Sequence, residues 1–212
     1  MFVRLVLVTA IAYLLGSIPF GLILVRVFRG VDVRQTGSGN IGTANVARLA
    51  PGLGVWTLVL DSAKGYLAVV LAKVVANQGS SAGVEWDRAS LLVGMAALFA
   101  VLGHMFSLFL KLKGGKGVAT AMGAFLAITP LAVLIVAVIY VLIYLLSHYT
   151  SLASITSAAL FPFIAGVLLK PAERRLLLPC VAFACLLIVL KHHQNIRRLL
   201  SGTENRLDLT RH

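Results

Sequence analysis

Six apolar runs set the rhythm of this chain, at about 2–25, 52–76, 89–110, 118–147, 151–169 and 176–190. Most reach the roughly 20 residues that an α-helix needs to cross a bilayer core of about 30 Å. The pattern predicts an all-α integral membrane protein, with residues 1–212 as one polytopic domain. The first run could pass for a signal peptide, because Ala10-Ile11-Ala12 resembles a cleavage site. It continues to Val25, however, and ends in Arg26 and Arg29, which predicts an uncleaved transmembrane helix.

The fourth run is too long for one helix and short for two full spans. Thr129-Pro130 lies inside it, and the residue before a proline is biased away from helix. Charge decides between one segment and two. With the N-terminus outside, Arg26, Arg29, Arg34 and Arg48 reach the cytoplasm after the first helix, and Lys111, Lys113 and Lys116 after the third. Two segments within 118–147 also bring Lys191, Arg197, Arg198, Arg206 and Arg211 inside, as the excess of Lys and Arg on the cytoplasmic side requires. One segment would leave them outside. The expectation is therefore seven transmembrane segments with a short fourth helix at about 118–128, N-terminus outside and C-terminus cytoplasmic. Arg4, Arg88, Lys170, Arg174 and Arg175 then stay outside. The stretches "NQGSSAGVEWDR" and "KPAERR" read as connectors, and the last few residues of the C-terminus as disordered.

Composition agrees. The chain is 59% hydrophobic and 12% charged, with a mean hydropathy of +0.96. A soluble domain carries about 25% charged residues. The net charge of +12 would suggest nucleic acid in a soluble protein. Here it reads as basic cytoplasmic loops, and no nucleic-acid partner is expected. Cys180 and Cys185 lie five apart in an apolar run and read as packing residues.

The seven-segment arrangement gathers three polar stretches on one face. In "GGKGVAT", glycines lead into a helix whose first amides and dipole favour an anion, and Lys116 adds a point charge. A tight interfacial turn with snorkelling lysines explains the same residues. In "GSGNIGTANVAR", Ser38, Asn40, Thr43 and Asn45 carry hydrogen-bonding side chains, and Arg48 can take a phosphate by two bonds. A solvated loop capping the second helix is the plainer alternative. In "KHHQNIRRLLSGTENR", His192 and Asn195 share a helix face, and Arg198 and Glu204 follow. An interfacial basic helix on anionic lipid would look similar. Ser151 and Ser154 in "HYTSLAS" are either site groups or helix caps. Asp61 and Lys64, three apart inside a helix, read as a self-paired structural couple, and His104 lies near the inner end of its helix.

Taken together, "GSGNIGTAN", "GHMFSLFLKLKGGKGVAT" and "KHHQNIRRLLSGTENR" resemble, in order and spacing, the acyl-phosphate-dependent glycerol-3-phosphate acyltransferases of bacterial membranes, the PlsY type. The likeness runs over essentially the whole chain. It implies acyl transfer from acyl phosphate to the 1-hydroxyl of sn-glycerol 3-phosphate, giving lysophosphatidate and phosphate, the first step of bacterial phospholipid synthesis. It implies a cytoplasmic (inner) membrane location with the site on the cytoplasmic face, no metal or other cofactor, membrane lipid as surroundings, and a monomer that suffices for activity.

Ser38, Arg48, Lys116, His192 and Asn195 are then the catalytic candidates. Asn40, Gly42, Asn45, His104, Gly114, Gly115, Gly117, Ser154, Arg198 and Glu204 are candidates for substrate binding. Lys116 and the Gly114–Gly117 backbone would hold the acyl phosphate's phosphate. Arg48, Asn45, His192 and Asn195 would hold glycerol 3-phosphate, with Ser38 and Ser154 orienting the reacting groups. Either His192 or a substrate phosphate oxygen takes the proton. The family's first motif commonly reads Gly-Ala-Thr-Asn. Here it is Gly42-Thr43-Ala44-Asn45, so no role carries over to the threonine. A phosphate or organic-anion transporter and a lipid-binding scaffold are the rival classes. A transporter would show internal repeats and a site at the midplane, and a scaffold would need only lysines.

Overall fold

A computed structural model describes residues 1–77 and 86–207. The connector expected at 77–88 and the C-terminal tip fall largely outside these residues. Every element described is helical: α1 (Phe2–Ser17), α2 (Phe20–Arg29), α3 (Thr43–Leu49), α4 (Pro51–Asn77), α5 (Trp86–Met105), α6 (Val118–Ile128), α7 (Pro130–Ser147), α8 (Thr150–Leu168), α9 (Pro171–Lys191) and α10 (His193–Leu200). Single 3-10 turns occupy Val33–Gln35 and Leu108–Leu110.

The boundaries follow local chemistry. Thr129 is extended at φ −141° and ψ 85°, and Pro130 begins α7, as expected from the proline. The first run departs from the single helix expected of it. Ile18 turns to ψ 117° ahead of Pro19, which has no amide to donate, and the chain restarts as α2. The "KPAERR" connector is also corrected. Pro171 is the first residue of α9, so most of that stretch belongs to a helix. Within the first polar stretch, Gly42 caps a short helix, α3, that takes up Thr43 to Leu49. Gly30, at φ +68°, closes α2.

Among the described residues, four helical stretches are long and apolar enough to cross a membrane, five if α9 and α10, bent by 53°, count as one. The 27-residue α4 has ample length but carries Asp61, Lys64 and Lys73. At 11 residues, α6 rises about 16 Å, roughly half of a hydrocarbon core.

The core surrounds α5, where Ala96, Ala97, Ala100, Val101 and Met105 are fully enclosed. Glycines let backbones meet. A Cβ on Gly16 would overlap the Ala100 carbonyl, and one on Gly103 the Tyr13 carbonyl, so α1 and α5 touch along small residues. Gly65 and Gly123 do the same between α4 and α6, against Thr120 and Ser62. A smaller core of Leu22, Val25, Val33, Ile41, Val46 and Leu110 lies under the first polar loop. Cys185 is buried and Cys180 packs beside Gly94; both are free thiols.

Candidate active site

One end of the bundle gathers the polar stretches. Lys116 Nζ, just before α6, donates to Asn195 Oδ1 on α10 at 2.5 Å. Asn195 Nδ2 donates to Glu204 Oε1 at 2.6 Å, and Arg198 Nε to Glu204 Oε2 at 2.6 Å. Arg48, at the end of α3, donates to the Asn205 carbonyl at 3.3 Å. The tail is anchored further on, where Leu207 N donates to the His148 carbonyl and Tyr144 to the Leu207 carbonyl. The C-terminal segment, whose "SGTENR" belongs to the third polar stretch, thus returns to the site and delivers Glu204 and Asn205.

The electrostatics is that of an anion site. Burial pushes the Lys116 ammonium down to about 8; Glu204 opposes the shift, and Arg198 and Arg48 add to it. Burial likewise lowers Arg48. Burial pushes the Glu204 carboxyl up, but hydrogen bonds from Asn195 and Arg198, with the Ser151 hydroxyl nearby, outweigh it and hold the group below the usual carboxylate range. Three cations therefore face one carboxylate, and a dianion would complete the balance.

His192 sits at the bend between α9 and α10 and is 2% exposed. Its Nδ1 lies 2.8 Å from the Ile188 carbonyl, which can only accept, so Nδ1 carries the proton and Nε2 the lone pair. The neighbouring His193 is exposed and its Nδ1 faces the Leu190 carbonyl.

Several expected ligands do other work. Gly114 N donates to the Met105 carbonyl and Gly115 N to the His104 carbonyl, closing the open C-terminus of α5. Those two amides are not free for phosphate. The first bond within α6 runs from Ala121 N to the Gly117 carbonyl, so the amides of Val118 to Thr120 remain for an anion beside Lys116. Gly117, at φ +83°, makes that turn possible.

Asn45 is corrected too. Its Nδ2 lies about 3 Å from three carbonyls, Val33, Thr36 and Asn40, and its Oδ1 accepts from Ser38 N at 2.8 Å. Two N–H groups shared among three acceptors leave none for a substrate. Asn45 pins the loop that carries Ser38, as Asn40 does by accepting from Gly42 N. Ser38 is exposed beside Gly37, whose Cβ position neighbours the Arg48 side chain. Ser154 is buried and donates to the Thr150 carbonyl at 2.8 Å, whereas Ser151 faces Glu204. His104 is behind the glycine loop: a Cβ on Gly115 would overlap its ring. Among the described residues, no three His, Cys, Asp or Glu side chains cluster as a metal site.

Comparison with known proteins points the same way. The glycerol-3-phosphate acyltransferase family profile matches residues 6–202. A glycerol-3-phosphate acyltransferase of Geotalea daltonii is 45% identical over 195 residues, 92% of this chain and 93% of its own. That of Geobacter metallireducens is 46% identical over 202 residues, 95% and 96% of the two chains. A crystal structure of PlsY (YgiH), an integral membrane glycerol 3-phosphate acyltransferase, in its glycerol 3-phosphate form superposes with a TM-score of 0.85. It shares 36% identity and covers 96% of both chains. The lysophosphatidic acid form superposes at 0.83, with 35% identity over 97% of this chain and 96% of that one.

Proposed function

The chain belongs to the glycerol-3-phosphate acyltransferase family, and on that premise we propose that it moves a fatty acyl group from an acyl phosphate to the 1-hydroxyl of sn-glycerol 3-phosphate. The products are lysophosphatidate and inorganic phosphate. The observation that carries the reading is the convergence of Lys116, Arg48 and Arg198 with His192 and Asn195 at one polar end of an apolar bundle. Both substrates bear phosphate and one bears an acyl chain. A cationic cluster bordered by lipid-soluble helices suits that pair.

Lys116 and the first-turn amides of α6 hold the acyl phosphate's phosphate. Arg48, Arg198 and Asn195 hold glycerol 3-phosphate, Glu204 keeps Asn195 and Arg198 aimed, and Ser38 orients the reacting groups from the loop rim. The 1-hydroxyl oxygen bonds to the acyl carbon, the acyl–phosphate C–O bond breaks, and the hydroxyl proton leaves on the phosphate. The donor is already activated, so no covalent intermediate on the protein is required. Positioning and charge stabilisation supply the rate. His192 accepts from the hydroxyl through Nε2 and orients it.

The wider setting is part of the same proposal: residues 1–212 form one unit of seven membrane segments with α6 as a half-crossing. The N-terminus is outside and the site faces the cytoplasm of a bacterial inner membrane, and a monomer suffices. The basic residues counted above and the break at Thr129–Pro130 support this arrangement. Donor identity is tested with purified protein, glycerol 3-phosphate, and either palmitoyl phosphate or palmitoyl-CoA. Lysophosphatidate should form with the phosphate donor alone. Product from the thioester alone would overturn the donor; no product from either would return the transporter reading.

A further inference from the structure

Asp61, Lys64 and His104 form a cluster that the proposed chemistry does not use. None is more than 4% exposed. Asp61 and Lys64 lie one turn apart on α4, and His104 is in the last turn of α5. A lysine ammonium has three N–H donors and no acceptor. Lys64 Nζ donates to the Ile18 carbonyl at 2.7 Å, lies 3.0 Å from His104 Nδ1, and forms an ion pair with Asp61 Oδ1 at 2.7 Å, which is itself 3.7 Å from His104 Nδ1. Since the lysine only donates, His104 Nδ1 accepts, and the imidazole proton is on Nε2. That nitrogen abuts Gly115. A Cβ there would overlap Nε2, and the next two nearest atoms also belong to the His104 ring. The Gly115 amide in turn donates to the His104 carbonyl at 3.0 Å.

The cluster therefore touches two places at once. One is the break between α1 and α2, at Ile18. The other is the seat of the loop that carries Lys116. A spacer needed only for packing would be apolar, because charges buried in an apolar bundle are costly unless paired.

We infer that Lys64, held by Asp61, and His104 are positioning residues that fix the Gly114–Gly117 loop against the α1–α2 break, so that Lys116 meets a substrate phosphate. The inference rests on the substrate reading above. The residues act through Gly115 and touch no substrate.

The test is a double-mutant cycle in the full-length protein with Gly115→Ala, His104→Ala and the pair, read by steady-state kinetics with both phosphate substrates. Gly115→Ala drives a methyl group into the imidazole and raises KM for at least one substrate about tenfold, with kcat within about threefold. Removing the ring makes room, so the double variant is no worse than His104→Ala alone. Effects that multiply instead would overturn the inference.

A second readout does not depend on activity. In Asp61→Asn/Lys64→Met, which removes both charges together, hydrogen exchange at Gly114 and Gly115 should quicken while α7 and α8 keep wild-type rates. Unchanged exchange at those two amides sinks the proposal. If wild-type protein makes no product, the substrate reading falls and the exchange result alone decides the positioning role.

Discussion

Lys116 shows what a single residue contributes to the account. Its ammonium titrates at about 8, down from 10.5, chiefly because it is buried. Phosphate needs the charged form, which is present below that value and lost above it. On raising pH from 7 to 9, kcat/KM should fall about tenfold with an inflection near 8. Lys116→Arg should abolish the inflection while keeping part of the rate. Stability of the unliganded protein runs the other way, because a lysine with a lowered folded pKa gains stability as pH rises from about 8 to 10.5. Glu204→Gln removes the carboxylate that holds Asn195 and Arg198. Charge-assisted hydrogen bonds contribute about 1.5–3 kcal/mol to stability, so the melting temperature in detergent should fall and kcat/KM should drop roughly ten- to a hundredfold as Asn195 and Arg198 lose their anchor. His192→Ala should mainly raise KM for glycerol 3-phosphate; an intact KM with kcat abolished would make the imidazole the base. At this scale the sequence was legible in part. Residue types that bind phosphate stood out. The duties of Asn45, Gly114 and Gly115 did not, because their partners are backbone carbonyls of other segments, and a single sequence does not display those contacts.

Among elements, α6 links the site to the bundle. It starts at Val118, two residues after Lys116, and lies on α4 through Gly65 and Gly123. Gly123→Val forces side-chain atoms into the Ser62 carbonyl region, and overpacking of this kind costs about 1–3 kcal/mol. The expected result is a lower melting temperature in detergent together with loss of acyl transfer; an unchanged melting curve would show that α4 and α6 do not pack this tightly. Prolines made some boundaries legible. Thr129–Pro130 reads as a break because the proline disfavours helix at Thr129 and the placement of basic residues favours two segments. Ile18–Pro19 offered the same signal, but an unbroken apolar run of spanning length masked it. The helix start at Pro171 was hidden by charges that look like a loop, although Pro followed by Glu173 in the first turn is an ordinary helix beginning.

For the molecule as a whole, charge counting anticipated that the three polar stretches would meet, and contacts such as Lys116–Asn195 and Arg48–Asn205 join them. Lys116 and Asn195, expected to hold different substrates, touch each other, so the proposed places for the two phosphates adjoin. Topology is open to a direct check by single cysteines in a Cys180→Ser/Cys185→Ser background. Lys113→Cys and Arg206→Cys should be labelled only from the cytoplasmic side, and Glu173→Cys only from outside. The central claim is that this cluster transfers an acyl group between two phosphate-bearing substrates. The most direct measurement quantifies lysophosphatidate and inorganic phosphate together, from palmitoyl phosphate and glycerol 3-phosphate, with purified wild-type protein and Lys116→Met. Equal amounts of both products from the wild type, and a rate at least about a hundredfold lower from Lys116→Met, are expected. Phosphate released without lysophosphatidate, or a Lys116→Met variant as fast as the wild type, would contradict the account.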